Sequence, residues 1–381
     1  MRPSRHASAR RSRGFAAATA AIGGADALEA VTSRPETLFY ERIVDCQRPG
    51  AFLAPASDPR GLETIHVAYS SDSGSFPGIL SSMLSLAYHA EDLARLAIHL
   101  LIAREELSEA EALVACLRAE LAKPRLPRVV LHELRPLRLN LSELPASPKY
   151  RRLWKPQTFA RLYLSEYLPG IRRVVWLDAD TIVRGDLGPL YRVELGERRA
   201  VAAAREWGNG TLHPFREEAW HPMQRARMPP AGTELFNTGV LLIDLFRWRE
   251  LRIDRTLAAL APYFAGINGE SLLLNLAVGG FDRLDWRWNV MGMFLEMDVP
   301  ELCLRQARVL HWTWDNKPWL PRRRESLRRH DDLFEPYLPR RPCGKVALAT
   351  RGAATAAAGV GERRAAATAS VAGMGMVLNF S

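Results

Sequence analysis

The chain has 381 residues, 48% of them hydrophobic and 25% charged, a length and balance that suit one large α/β core or two smaller ones. Its net charge of +10 resides in the ends: residues 1–24 carry five Arg and no acid, and residues 338–381 carry five Arg and one Lys against Glu362. The body between them is near neutrality, which excludes nucleic-acid binding through a charged face.

Arg2 to Arg13 followed by the Ala-rich stretch to Ala25 reads equally as a weak signal peptide or as an organellar transit peptide, a choice that would put plastid or mitochondrial targeting beside secretion. Residues 1–60 are read as this targeting segment plus a Pro-interrupted lead-in arm, residues 61–340 as a single catalytic domain, and residues 341–381 as a low-complexity, disordered tail. No run of 18 apolar residues suggests a membrane span. Cys46, Cys116, Cys303 and Cys343 are scattered without a Cys-x-x-Cys, so a structural zinc site is not expected, and a disulfide is neither assigned nor excluded.

Glu63 to Tyr69 predicts a first strand, Ser70 to Gly78 a polar turn with Asp72 at the strand's mouth, and Ile79 to Ala90 a helix. Arg95 to Ile102, Glu105 to Leu121 and Pro127 to Leu131 continue as strand, helix and strand. Lys155 to Leu168 predicts one helix stopped by Pro169-Gly170. This alternation predicts a Rossmann-like, mostly parallel sheet with helices on both faces.

The next strand, Val174 to Leu177, is apolar throughout and ends in Asp178-Ala179-Asp180. Carboxylates at i and i+2 on extended backbone face the same way, and at a strand's C-terminal end that direction is the ligand crevice. Two hard oxygen ligands there suit a divalent cation, which in turn suits a diphosphate. Taken alone, Asp-x-Asp is more often a solvated turn.

Leu187 to Tyr191 predicts a helical turn and Ala200 to Ala204 a strand. Trp207 to Gly232 is composed as a long irregular excursion, read as an acceptor-facing flap. Phe236 to Leu245 predicts a buried strand, Asp254 to Phe264 and Glu270 to Val278 helices, Trp286 to Met291 an aromatic loop, and Arg308 to Trp319 a last strand and loop.

Several separated stretches together resemble one family. Ile65-His66-Val67-Ala68 with Asp72, Phe159 to Leu164, Val175 to Asp180, Phe236 to Val240, Trp288-Asn289 and His311 to Trp319 match, in order and spacing, glycosyltransferase family 8, specifically its plant galacturonosyltransferase-like branch, over Glu63 to Tyr337. The resemblance implies the nucleotide-diphospho-sugar transferase fold of GT-A type and retaining transfer from a UDP-sugar with Mn²⁺ or Mg²⁺. It implies Asp178, Asp180 and His311 as metal ligands, with Asp178 also at the donor diphosphate and Lys317 on the phosphates. Asp72 becomes the base-pocket acid and Arg161 a nucleotide-side arginine. Asn237 becomes a partner for sugar hydroxyls and Glu270 a carboxylate beside the anomeric carbon. Each has a plainer reading as well: turn Asp, helix-surface ion pair, Asx turn and helix N-terminal acid respectively.

The implied reaction is transfer of galacturonic acid or a hexose to a pectin-type cell-wall polysaccharide in the Golgi lumen, with membrane association through the N-terminus or a partner. A glycogenin-like self-glucosylating primer is an alternative. Trp314 in place of the family's Gly, and Gly74-Ser75 in place of its Asn and Tyr, leave a non-catalytic nucleotide-sugar-binding member as a second alternative.

Overall fold

The computed structural model describes residues 63–136, 155–206, 226–230, 232–264, 270–292, 299–313, 317–320 and 330–340. The expected targeting segment and arm, most of the excursion from Trp207 to Gly232, Trp314 and the tail beyond residue 340 lie outside them.

A seven-stranded sheet runs in the order β3-β2-β1-β4-β7-β6-β8. β1 (Ile65–Ser70), β2 (Leu96–Ile102), β3 (Arg128–Glu133) and β4 (Arg173–Leu177) are mutually parallel. β7 (Phe236–Asp244) is antiparallel to both β4 and β6 (Val201–Arg205), and the short β8 (Asp282–Arg283) lies parallel to β6. The chain winds outward from β1 to β3 and then returns to place β4 on the other side of β1. This reversal opens a crevice at the C-terminal ends of β1 and β4, where ligands bind in open α/β sheets.

Both faces are covered, because central strands buried on two sides must be apolar throughout. On β4, Val175 and Leu177 pack under α1 (Phe76–His89) and α2 (Leu107–Leu121). Val174 and Trp176 point the other way, toward the segment 156–168 and the helices α3 (Ile253–Phe264) and α4 (Ser271–Val278). A second, three-stranded sheet joins β5 (Thr181–Val183), β10 (Val309–His311) and β9 (Val290–Met291), with Trp312, Trp319 and Phe334 beneath it.

α1 explains how β5 comes so near. Among its large buried side chains it also carries the small buried Ser82 and Ser85, which meet β5. Ser82 Oγ lies 3.0 Å from Thr181 Oγ1, and Val183 N donates to Ser85 Oγ at 2.9 Å. Thr181 Oγ1 in turn donates to Asp178 O at 2.9 Å, so the helix ties down the loop that carries both aspartates.

Several expectations need correction. The segment expected as one helix from Lys155 to Leu168 is three short pieces, α-helical at Pro156–Phe159 and Leu164–Tyr167 with a 3₁₀ turn at Ala160–Tyr163 between them. The tight middle turn contains the buried Arg161, whose tertiary contacts override helical periodicity. The aromatic loop from Trp286 to Met291 is a 3₁₀ turn, Trp286–Trp288, followed by strand β9. The first helix starts earlier than expected, at Phe76, with Pro77 in its first turn where a missing N–H costs nothing. A helix at Leu245–Glu250 is capped by Asp244, which accepts from Phe246 N and Arg247 N at 3.1 and 3.0 Å.

Candidate active site

Asp178 leaves the end of β4 and Asp180 follows two residues later, in a loop stitched down on both sides. Asp178 N donates to Gly239 O on β7, and Trp312 N, just past β10, donates to Asp180 O. His311 is the last residue of β10, so the small sheet delivers its ring to the loop from far downstream. The three side chains converge: one potential ligand atom from each of Asp178, Asp180 and His311 lies within 4.8 Å of the others. His311 Nε2 stands 3.2 Å from Asp180 Oδ1 and 4.0 Å from Asp178 Oδ2. Close approach of the ring depends on Gly239, where a Cβ would fall 2.1 Å from His311 Cε1.

The two carboxylates are held differently. Asp178 Oδ1 accepts from Trp176 Nε1 at 2.8 Å and pairs with Arg161 Nη2 at 2.8 Å, which leaves Oδ2 facing the cluster. Arg161 is buried, stacks over the Trp176 ring at 4.7 Å, donates to Thr238 O at 2.6 Å and reaches Glu270 Oε1 at 3.4 Å. Asp180 Oδ2 is paired with Lys317 Nζ, and that amine also donates to Trp312 O at 2.7 Å. Burial alone would push the Asp180 carboxyl up, but Lys317 and then His311 overcome it and hold the group below the usual carboxylate range. Burial raises the Glu270 carboxyl, against the lowering pull of Arg161 and with a further push from Asp178.

The donor set fits a divalent cation. Asp180 Oδ1 is a buried oxygen with no hydrogen-bond partner, although an imidazole nitrogen lies beside it. Two carboxylates and an imidazole match the hard-to-borderline preference of Mn²⁺ or Mg²⁺ chemistry. Among the described residues this is the only group of three such side chains with that spacing.

Of the residues singled out by sequence, Asp178, Asp180, His311, Lys317, Arg161, Glu270 and Asn237 form one connected network. Asn237 enters it through Asn289, to which its Oδ1 is bonded at 2.9 Å. Asp72 sits at the mouth of β1 in an ion pair with Lys155. Gly74, next along that turn, accepts at its carbonyl from Trp319 Nε1 at 3.2 Å, which pins the loop after Lys317 to the start of α1. Sequence reasoning missed Glu206, and gave Trp176, Thr238 and Asn289, though inside the matched stretches, no role of their own. Glu206 stands just past the end of β6, one residue beyond its apolar run, so the strand-end criterion that marks Asp178, relaxed by one residue, would have found it.

A doubly wound sheet with a paired-aspartate and imidazole centre at its crevice is an arrangement that glycosyltransferases of GT-A type have. The sequence profile of glycosyl transferase family 8 matches residues 66–322, and the chain belongs to that family. Among its relatives in Arabidopsis thaliana, "Probable galacturonosyltransferase-like 3" is 27% identical over 300 residues, covering 74% of this chain and 82% of the relative. "Probable galacturonosyltransferase-like 5" is 26% identical over 285 residues, covering 72% and 76%. Of solved structures, the galactosyltransferase LgtC in complex with donor and acceptor sugar analogs superposes with a TM-score of 0.53 at 22% identity, over 73% of this chain and 98% of that one. The bifunctional WbbM superposes with a TM-score of 0.55 at 18% identity over 76% of this chain, which spans about half (51%) of WbbM. At those identities the structural likeness concerns the fold.

Proposed function

We propose that this glycosyltransferase moves galacturonic acid or another hexose from a UDP-sugar to a pectin-type cell-wall polysaccharide, with retention at the anomeric carbon and dependence on Mn²⁺ or Mg²⁺. The observation that carries the reading is the convergence of Asp178, Asp180 and His311 at the crevice, with Lys317 on the same carboxylate.

Asp178 and Asp180 would hold the cation with His311. When bound, a divalent cation supplies Lewis-acid stabilisation of the diphosphate leaving group. Lys317, already in the cluster, brings a point charge to the same phosphates, where charge-assisted hydrogen bonds are strong. Arg161 and Trp176 keep Asp178 in one rotamer by occupying its Oδ1. Glu270 is a buried carboxylate linked to that arginine, suited to steady positive charge at the anomeric carbon. Asp72, two residues beyond the end of β1, would be the acid of the base pocket.

The compartment proposed is the Golgi lumen. Cys116 and Cys303 are both disulfide-bonded, which agrees with an oxidising lumen. Among the described residues no helix is long and apolar enough to cross a membrane; membrane association through the N-terminus or a partner is part of the proposal.

The test is a UDP-release screen across UDP-sugars with and without Mn²⁺, using pectic oligosaccharides as acceptors. Metal-dependent release with UDP-galacturonic acid or a UDP-hexose supports the reading; no release from any UDP-sugar with acceptor and Mn²⁺ supplied sinks it.

A further inference from the structure

We infer that Asn289 is a positioning residue that holds a proton of His311 on Nδ1, so that the ring presents Nε2 to Asp178 and Asp180, and that Asn237 and Glu206 hold Asn289 in the one orientation able to do this. The inference deepens the metal-site reading above and rests on it only for the consequence, not for the proton's place on the ring.

The four side chains form a single hydrogen-bonded line. Asn237 Nδ2 lies 3.3 Å from both Glu206 Oε1 and Oε2. Asn237 Oδ1 accepts from Gly239 N at 3.0 Å and from Asn289 Nδ2 at 2.9 Å. Asn289 Oδ1 meets His311 Nδ1 at 3.0 Å. Asparagine oxygen and nitrogen are told apart by their partners, and here the partners leave no freedom. The backbone N–H of Gly239 can only donate, so the Asn237 atom facing it is the oxygen. An ionised Glu206 can only accept, so the Asn237 atom facing it is the nitrogen. Both ends therefore give the same flip.

From there the order propagates. Asn237 Oδ1 is an acceptor, so Asn289 presents its NH₂ to it and its carbonyl to the imidazole. A carbonyl can only accept, so His311 carries its proton on Nδ1. Nε2 is then the nitrogen left for the two aspartates, and in the singly protonated ring it carries the lone pair that a metal ligand needs. Asn289 is 2% exposed and His311 4%, so solvent is not positioned to replace the missing partner if Asn289 is lost.

The arrangement follows from the fold. β9 lies parallel to β10 with Met291 opposite His311, which brings Asn289 alongside the ring. Gly239 on β7 removes the side chain that would otherwise push the ring away, and its own N–H starts the ordering. Metal-ligating histidines generally need such a partner on the other ring nitrogen, and its loss costs about 10–100-fold in metal affinity.

The experiment uses the full chain and Mn²⁺ alone as probe, with affinity read by electron paramagnetic resonance titration and folding by circular dichroism and melting. Asn289→Leu removes the acceptor, and Mn²⁺ affinity is expected to fall by about 10–100-fold. Asn289→Asp restores an acceptor facing Nδ1, although its other oxygen meets Asn237 Oδ1 with no proton between them, and is expected to recover part of that loss. Long-range ¹H–¹⁵N correlation spectra of the wild type at pH 8 should show His311 protonated at Nδ1, and the Asp variant should keep that proton. If the Leu variant does not fold, the spectra of the wild type and the Asp variant decide alone. Wild-type affinity in a folded Leu variant, or a His311 with no proton on Nδ1, overturns the inference. A wild type that binds no Mn²⁺ yet shows the Nδ1 proton would instead count against the proposed function while leaving the positioning role standing.

Discussion

Lys317 Nζ is paired with Asp180 Oδ2, across the carboxylate from the Oδ1 atom that faces His311 Nε2. The lysine thus neutralises the same charge that the proposed cation would neutralise. A cation bound to Asp180 competes with the amine, and the amine so displaced is available to a diphosphate. Lys317→Met is therefore expected to move two affinities in opposite directions. Mn²⁺ alone should bind several-fold tighter, since removing a competing ion pair is worth on the order of 1 kcal/mol. UDP with Mn²⁺ present should bind roughly 10–100-fold weaker, the value of a charge-assisted contact. Two calorimetric titrations check this, and a loss of both affinities would contradict the competition.

Asp180→Asn keeps the shape of the side chain and removes its charge. The loop it sits on is secured by backbone bonds from Trp312 N and by Thr181, and neither depends on that charge. The fold should survive, with a melting shift equivalent to about 1–3 kcal/mol for the stranded Lys317 partner. Mn²⁺-dependent release of UDP should disappear, with metal affinity down by about 100-fold or more, beyond the effect of an outer partner. Undiminished turnover in this variant would remove Asp180 from the site.

Gly239→Ala tests the approach of β10 to β7. The added methyl would lie 2.1 Å from His311 Cε1 and 2.7 Å from Nε2, so the ring must move. β7 is buried along its whole length and cannot yield cheaply. The expected cost is about 1–3 kcal/mol of stability from overpacking, together with a loss of Mn²⁺ binding larger than that of a distant variant of equal stability cost. Matching the variant by melting temperature to a destabilising core substitution such as Leu117→Ala, which lies on α2, separates the two effects. Equal Mn²⁺ affinity in the matched pair rules out the steric account.

The parallel half of the sheet and the metal loop were legible in the sequence because both announce themselves locally. A buried apolar run that stops at two carboxylates marks the crevice end of a central strand, and strands from Ile65 to Leu177 alternate with helical spacing. The antiparallel β7 reads identically to a parallel strand, since burial on both faces erases direction from the pattern. β9, of two residues, and β5, of three, are too short for any period to register. Arg161 illustrates the limit at the site: its family motif marks it for the nucleotide, but its contacts with Asp178, Glu270 and Thr238 are long-range and appear only once β4, β7 and α4 are assembled. The Asn289–Asn237 link was equally invisible, because it joins two distant stretches of chain through side-chain amides that carry no periodic signal.

A last prediction concerns stability in acid and lies away from the crevice. His66, His99 and His132 stand on the adjacent strands β1, β2 and β3 and are bonded in line, His66 Nδ1 to His99 Nε2 at 3.0 Å and His99 Nδ1 to His132 Nε2 at 2.9 Å. Each link needs one N–H and one lone pair, which neutral rings supply and doubly protonated rings do not. Burial, then the neighbouring His132 and His66, then Arg128 lower the His99 imidazole to about 3; burial also lowers His66 and His132. For a base whose folded value lies below the unfolded one near 6.5, the unfolded chain takes up more protons as the pH drops, so stability is complete above pH 6.5 and is lost on the way down toward pH 3. His99 alone should cost about 2 kcal/mol between pH 7 and pH 5, at about 1.4 kcal/mol per pH unit once fully engaged. His99→Leu removes the central proton acceptor and should flatten that slope. Thermal melts of wild type and variant at pH 7 and pH 5 check it: an equal loss of melting temperature in both proteins would show that the acid sensitivity arises elsewhere.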